Sequence, residues 1–311
     1  MSDSDDVTTT EPGRVESVPA GAVVVGIDGS DRDDTCIRWA AGAATRTGRP
    51  VHLLHAQDIA VELAAANPIA ARGLAFVPDL VLDSTVLSSA LERARAEWPD
   101  LDVTGSEPWM HPEEALIEAS DDAYLIVVGS SRISGLERLL LGRSALAVSL
   151  HARCPVVILP EGARTDAEGP VVLGFDGSDG SRAAAERAFW IADVRGTSVR
   201  TVTSWYAEVV DGAVVTTPGT AAWEQVEGGY RRMVEEAIAD LRERYPGVDV
   251  DIRVLRGPAA AVLTREAADA SLLVIGSRGR GGFRGMLLGS VSHKVLETAT
   301  SPVMVIRGPK R

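Results

Sequence analysis

The chain reads as an α/β protein made of two tandem copies of an open, five-stranded parallel-sheet domain of Rossmann-like type. Three observations predict this. The sequence repeats at a nearly constant offset, each copy alternates short apolar runs with helix-period segments, and the apolar runs are continuous rather than alternating. Continuous runs are what strands buried on both faces require. AVVVGIDGSDRDD from Ala22 matches PVVLGFDGSDGSR from Pro170, which sets Asp28 against Asp176, 148 residues on. LIVVGSSR from Leu125 matches LLVIGSRG from Leu272, and CPVVILP from Cys154 matches SPVMVIR from Ser301, both at an offset of 147. A period this long makes each copy a domain rather than a solenoid repeat.

The elements follow in order. Residues 1–20 are acidic and polar and read as a disordered leader. The first domain spans 21–160, with strands expected near 22–28, 51–56, 101–106, 123–129 and 155–159. A charged, glycine-bearing linker is expected at 161–169, followed by the second domain over 170–308. There the first strand is expected at 171–176. A helix over 181–196 places Ala184, Ala188, Phe189 and Ile191 at helical spacing, with Gly196 near its stop. Strand 199–205, a polar stretch at 206–222, a helix near 223–245 and strand 250–255 come next. Pro258 suits the first turn of a helix over 258–269. Strand 271–276, a glycine-rich loop, a helix over 288–299 and a closing strand at 302–306 complete the copy. The apolar closing strands, 156–159 and 303–306, are edges that invite pairing with another copy or chain.

Composition narrows the function. The 311 residues carry 31 Lys+Arg and 44 Asp+Glu, a net charge of −13. With 45% apolar residues there is enough to bury a core, so whole-chain disorder is excluded. The acid excess argues against nucleic acid as a partner. No apolar run reaches the roughly 18 residues of a membrane span. The acidic N-terminus is the opposite of a signal peptide. Cys36 and Cys154 form neither a CxxC pair nor a metal spacing, which suits a reducing, cytoplasmic setting.

Open parallel sheets bind ligands at the carboxyl ends of their strands, where strand order reverses. Strand four of the second copy ends in a loop with five glycines between Gly276 and Gly285. Glycine lets a backbone approach a ligand closely. Gly289-Ser290 opens the next helix, whose free N–H groups and positive dipole end favour an anion. Arg278, Arg280 and Arg284 add positive charge. The combination points to a phosphate site; the bland alternative is a surface loop with a structural helix start.

At these residues the chain resembles the universal stress protein family. Gly276-x2-Gly279-x9-Gly289-Ser290 fits that family's nucleotide motif at every fixed position, and Asp176 and the Ser301-Pro302 closing strand fit as well. The resemblance covers almost all of 21–308. It implies ATP as ligand, with or without magnesium. It implies Asp176 near the ribose and adenine, Ser204 beside the adenine, and Ile275, Gly276 and Gly279 along the ribose and α-phosphate. It implies Gly289, Ser290, Val291 and Ser292 at the phosphates. The resemblance also implies a homodimer and a regulatory role in stress response through an unnamed protein partner.

The first copy departs from the motif. Gly129 and Gly142 keep their places, but Arg132 replaces the second glycine and Arg143 the serine, with Ser144 one position late. Asp28, Ala56 and Val128 stand where a first site needs them. Either the arginines block the site or they pair with phosphates.

Other chemistries find less support. There is no Gly-Lys pair, so no P-loop; GIDGSD and GFDGSD break the dinucleotide fingerprint. Asp28-Gly29-Ser30 and Asp176-Gly177-Ser178 lack the carboxylates of a calcium loop and are expected to cap the helices that follow. His52, His55, His111, His151 and His293 form no metal pair, and no nucleophile elbow exists, so no catalytic residue is assigned. The tryptophans read as core, with stacking open to Trp205 because it follows Ser204. Two alternatives to a binding module stay open, a slow ATPase and a dimerisation protein without ligand.

Overall fold

The computed structural model describes residues 18–57, 85–132, 139–140, 142–165, 168–206, 209–210, 212–214, 217–281 and 287–308. Most of the expected leader, two residues of the expected linker, and Arg284 lie outside the described residues. The chain divides into two compact units: unit 1 is Met1–Gly129 with Arg143–Cys154, and unit 2 is Ser130–Gly142 with Pro155–Arg311.

Unit 1 contains β1 (Val23–Gly26), α1 (Arg32–Thr47), β2 (Val51–Leu54), α2 (Thr85–Glu97), β3 (Val103–Ser106), α3 (Pro112–Ala119), the first part of β4 (Leu125–Arg132) and α4 (Arg143–His151). The strands run parallel in the order β3-β2-β1-β4, with Val23 opposite both Val51 and Leu125. Val23, Val24, Val25, Leu53, Ile126 and Val127 are fully buried, as a sheet covered on both faces demands. His52 lies in β2 with its ring between the Thr104 and Ser106 hydroxyls, at 2.9 and 2.8 Å. Burial lowers its pKa to about 4, so it is a neutral core histidine.

Unit 2 adds β5 (Leu139–Leu140), β6 (Val156–Pro160), β7 (Val171–Gly174), α5 (Asp179–Arg195), β8 (Val199–Trp205), β9 (Val209–Val210), β10 (Ala213–Val214), α6 (Ala221–Arg244), β11 (Val250–Arg256), α7 (Ala259–Glu266), β12 (Leu272–Gly276), α8 (Ser290–Thr298) and β13 (Val303–Ile306). The second repeat forms the expected five-stranded parallel sheet in the order β11-β8-β7-β12-β13. Strand order reverses between β7 and β12, and the candidate loop leaves the carboxyl end of β12 there. β6 runs antiparallel to β13, Val303 opposite Ile158 and Val305 opposite Val156. The two closing strands thereby cover each other's apolar edge.

Two elements differ from expectation. β4 continues to Arg132, three residues past the expected strand, because Ser131 and Arg132 find antiparallel partners in Leu140 and Leu139. The polar stretch after Trp205, for which no strand was expected, holds the antiparallel pair β9–β10, with Gly212 between them at φ 81°. That left-handed backbone is what a tight hairpin turn requires.

Candidate functional site

The site is built on the β7–α5 turn and the β12–α8 loop of unit 2. Asp176 lies just beyond β7. Its carboxylate Oδ1 accepts the Ser178 N–H at 3.0 Å and the Ser178 hydroxyl at 2.6 Å, and its Oδ2 accepts the Arg280 N–H at 2.9 Å. Burial pushes this carboxyl up, but the hydrogen bonds from Ser178 and Arg280 outweigh it and hold the pKa below the ordinary value. Asp176 is therefore ionised at neutral pH and fastens the glycine loop to the end of β7.

The glycines are needed where they stand. A Cβ on Gly279 would collide with Asp176 Oδ2. A Cβ on Gly276 would lie 2.7 Å from the Gly180 carbonyl carbon, and one on Gly180 would lie 2.8 Å from the Arg278 carbonyl oxygen. The first turn of α5 and the loop after β12 thus cross backbone on backbone. Further bonds set the start of α8: Ser277 N–H to Ile306 O at 2.8 Å, Gly289 N–H to Ser277 O at 2.7 Å, and the Ser292 hydroxyl to Gly276 O at 2.8 Å. Gly289 is the extended N-cap, and intrahelical bonding begins with His293 N–H to Gly289 O at 2.9 Å. The N–H groups of Ser290, Val291 and Ser292 form the helix's first turn, the donors that a helix leaves for an anion.

These parts enclose a cavity of about 460 Å³, within the roughly 300–1,000 Å³ usual for small-molecule sites. All nine second-copy candidates line it: Asp176, Ser204, Ile275, Gly276, Gly279, Gly289, Ser290, Val291 and Ser292. Arg278 and Arg280 line it too and are the cations among its described lining residues. Phe175, Val202, Ala259 and Leu263 give it an apolar side. Those four were legible in principle: Phe175 adjoins Asp176, Val202 shares a strand face with Ser204, and Ala259 and Leu263 are one helical turn apart. Ser292 differs in emphasis from the expectation, since its hydroxyl is committed to Gly276 and only its N–H is positioned for a ligand.

Trp205 does not line the cavity. It is 3% exposed and packs edge-on against Trp223, ring centroids 4.7 Å apart, so the stacking left open for it is not made on this side of the strand.

The first-copy candidates divide between the two units. Asp28, Ala56, Val128, Gly129, Arg143 and Ser144 belong to unit 1, while Arg132 and Gly142 fall in unit 2. The expected capping also differs there. Ser178 caps α5 by accepting the Ser181 N–H at 3.3 Å, as expected. In unit 1 the turn is closed instead by Asp33, whose carboxylate accepts the N–H groups of Asp28 at 3.2 Å and Gly29 at 2.8 Å.

Among the described residues no group of three or more His, Cys, Asp or Glu is arranged to hold a metal ion. No helix among them is long and apolar enough to cross a membrane.

Known proteins resemble the chain in sequence and in fold. The universal stress protein family profile matches residues 20–160 and 169–307. A universal stress protein of Mycolicibacterium smegmatis is 35% identical over 309 residues, covering 94% of this chain and 99% of its own. The crystal structure of a universal stress protein from Archaeoglobus fulgidus DSM 4304 shares the fold, with a TM-score of 0.60 at 19% identity over 93% of this chain and 99% of that one. A universal stress protein crystallised in complex with cAMP aligns over 45% of this chain and 98% of its own, at 25% identity and a TM-score of 0.36. The chain carries two family domains in tandem and belongs to the universal stress protein family.

Proposed function

We propose that the chain binds ATP in the unit 2 cavity and works in the cytoplasm, as a homodimer, as a nucleotide-dependent regulatory module of the stress response. The observation that carries this reading is the convergence of the nine motif residues on one cavity, with the first turn of α8 at one end and an apolar side at the other. An adenine fits between Val202, Ala259 and Leu263 beside Ser204, the ribose along Gly276 and Gly279, and the phosphates at the N–H groups of Ser290, Val291 and Ser292. Arg278 and Arg280 supply the countercharge. A magnesium ion would arrive on the phosphates and keep most of its ligands as water, as that ion commonly does.

The module is read as a binder rather than an ATPase because of Asp176. It is the one carboxylate on the described cavity wall, and it is committed to Ser178 and Arg280 rather than aimed at a water. Bound nucleotide would contact the loop after β12 and so change the surface that a partner reads.

The test is the nucleotide content of gently purified protein, released by denaturation and resolved by ion exchange, for wild type and Gly279→Glu. Retained adenine nucleotide in wild type and its loss in the variant supports the reading. A wild-type protein that carries none and ignores added ATP defeats it.

A further inference from the structure

We infer that unit 1 binds a divalent transition-metal ion such as zinc at a buried group formed by His55, Gln57 and Glu107, where β2 and β3 end. The inference is independent of the nucleotide reading of unit 2.

The three residues are brought together by backbone pairing that continues past the strands. The His55 N–H donates to Ser106 O at 3.1 Å and the Gln57 N–H to Pro108 O at 3.0 Å, so the chain leaving β2 stays beside the chain leaving β3. Alternation sets His55 and Gln57 on one face. The His55 ring meets Glu107 there, Nε2 to Oε1 at 3.9 Å. A hydrogen bond from Gln57 reaches the Glu107 carboxyl as well. The His55 and Glu107 side chains are 17% and 11% exposed, and Gln57 is 7% exposed.

This group presents lone pairs. His55 Nδ1 lies 3.1 Å from the Ile27 carbonyl oxygen, which can only accept, so Nδ1 carries a proton and donates it. In the neutral ring Nε2 is then an acceptor, and it faces a carboxylate oxygen. Glu107 Oε1 and Gln57 Oε1 are both buried without a donor. Buried acceptors are satisfied as a rule, so acceptors gathered without donors call for a cation. A histidine that gives its other ring N–H to a backbone carbonyl is oriented as metal-binding histidines are. The spacing suits such an ion, since bonds of about 2.0–2.2 Å to nitrogen and oxygen bridge the 3.9 Å gap with the ion in the middle. An imidazole with carboxylate and amide oxygens, completed by water, selects zinc or a similar ion over calcium and magnesium, which take oxygen ligands. Burial pushes the Glu107 carboxyl pKa up, with Gln57 and His55 opposing it. A cation at Oε1 offsets that cost.

The second repeat shows that the fold does not need this group. The repeat offset sets His55 against Thr203 and Gln57 against Trp205, and strand register sets Glu107 against Val254, which lies opposite Thr203. The Thr203 hydroxyl donates to Phe175 O at 2.8 Å, the counterpart of the His55 bond to Ile27 O. Trp205 and Val254 are buried in an apolar cluster with Trp223. One place in one fold is therefore closed by hydrocarbon in the second copy and by an imidazole, an amide and a carboxylate in the first, where burial is costly without a compensating partner.

The test is calorimetric titration of the full, untagged chain with zinc chloride after treatment with a chelator, for wild type, His55→Thr and Glu107→Val. The variants install the residues that the second repeat carries. The expected result is one zinc per chain in wild type and an affinity at least about tenfold weaker in each variant. NMR of the histidine rings reads the same group in wild type without any substitution. Zinc should shift the His55 ring signals and leave those of His52, in the core of the same sheet, unmoved. No uptake by wild type, uptake that both variants retain, or His55 ring signals that follow pH but not zinc would overturn the inference.

Discussion

The Asp176 carboxylate accepts the backbone N–H of Arg280 at 2.9 Å across 104 positions of sequence. That bond ties the loop after β12 to the end of β7, and it is why residue 279 must be glycine. Asp176→Ala would strip the acceptor from Arg280 and from Ser178 together. Hydrogen bonds to a charged group contribute about 1.5–3 kcal/mol each, and part of this is lost to solvent here. ATP affinity is expected to fall about tenfold or more, with about 1–3 kcal/mol of stability lost in urea denaturation. A variant that binds as wild type would show that the loop holds its shape without the aspartate.

The crossing of Gly276 and Gly180 is a packing constraint independent of any ligand. Gly276→Val would overpack two backbones, which typically costs about 1–3 kcal/mol and more where backbone cannot yield. Its denaturation midpoint should drop without added nucleotide. Gly229, inside α6 with nothing within 4 Å of a Cβ, is the counter-case. Gly229→Ala should raise stability by about 0.5–1 kcal/mol through helix propensity alone.

Ser292→Ala tests the start of α8. The Ser292 hydroxyl bonds Gly276 O at 2.8 Å, on a residue 5% exposed. Losing it leaves a half-buried carbonyl short of a donor, a cost of about 1 kcal/mol. Thermal denaturation of the unliganded chain should show the loss. If stability is unchanged and only affinity falls, the hydroxyl serves the ligand and not the fold.

Asp33 should titrate abnormally. Burial pushes its pKa to about 6 against an ordinary 3.8, with the Asp28 charge adding to the rise and the N–H groups of Asp28 and Gly29 opposing it. A raised carboxylate pKa means the native state keeps a proton that the unfolded chain releases. This group's contribution to stability is therefore full below about pH 4 and declines as pH rises to about 6, the reverse of a salt-bridged carboxylate. Carbon-detected NMR should find its midpoint near 6, and Asp33→Ala should remove that slope from the pH dependence of unfolding. A midpoint near 4 would mean that the side chain is solvated.

Much of this was legible in the sequence because it depends on backbone placement and residue size. Three repeat anchors marked the duplication, and Gly276, Gly279 and Gly289 of the spaced motif all line the cavity. Side-chain choices were harder to read. DGSDRDD offers several carboxylates and a hydroxyl that could close the unit 1 turn, and only three-dimensional reach selects Asp33. The hairpin of β4 and β5 depends on Leu139 and Leu140 returning to Arg132, a pairing that no local pattern announces. Trp205 follows Ser204 in sequence, yet alternation along β8 turns it to the opposite face, against Trp223.

The most direct measurement is the change in backbone amide signals of the full chain on adding ATP, followed by NMR or hydrogen exchange. The predicted result is perturbation and protection at Gly276, Gly279 and Arg280 and at Ser290, Val291 and Ser292, with the amides of Asp28 and Gly29 unmoved. Perturbation centred on Asp28 and Gly129 instead, or none at the first turn of α8, would contradict the assignment of the nucleotide to unit 2.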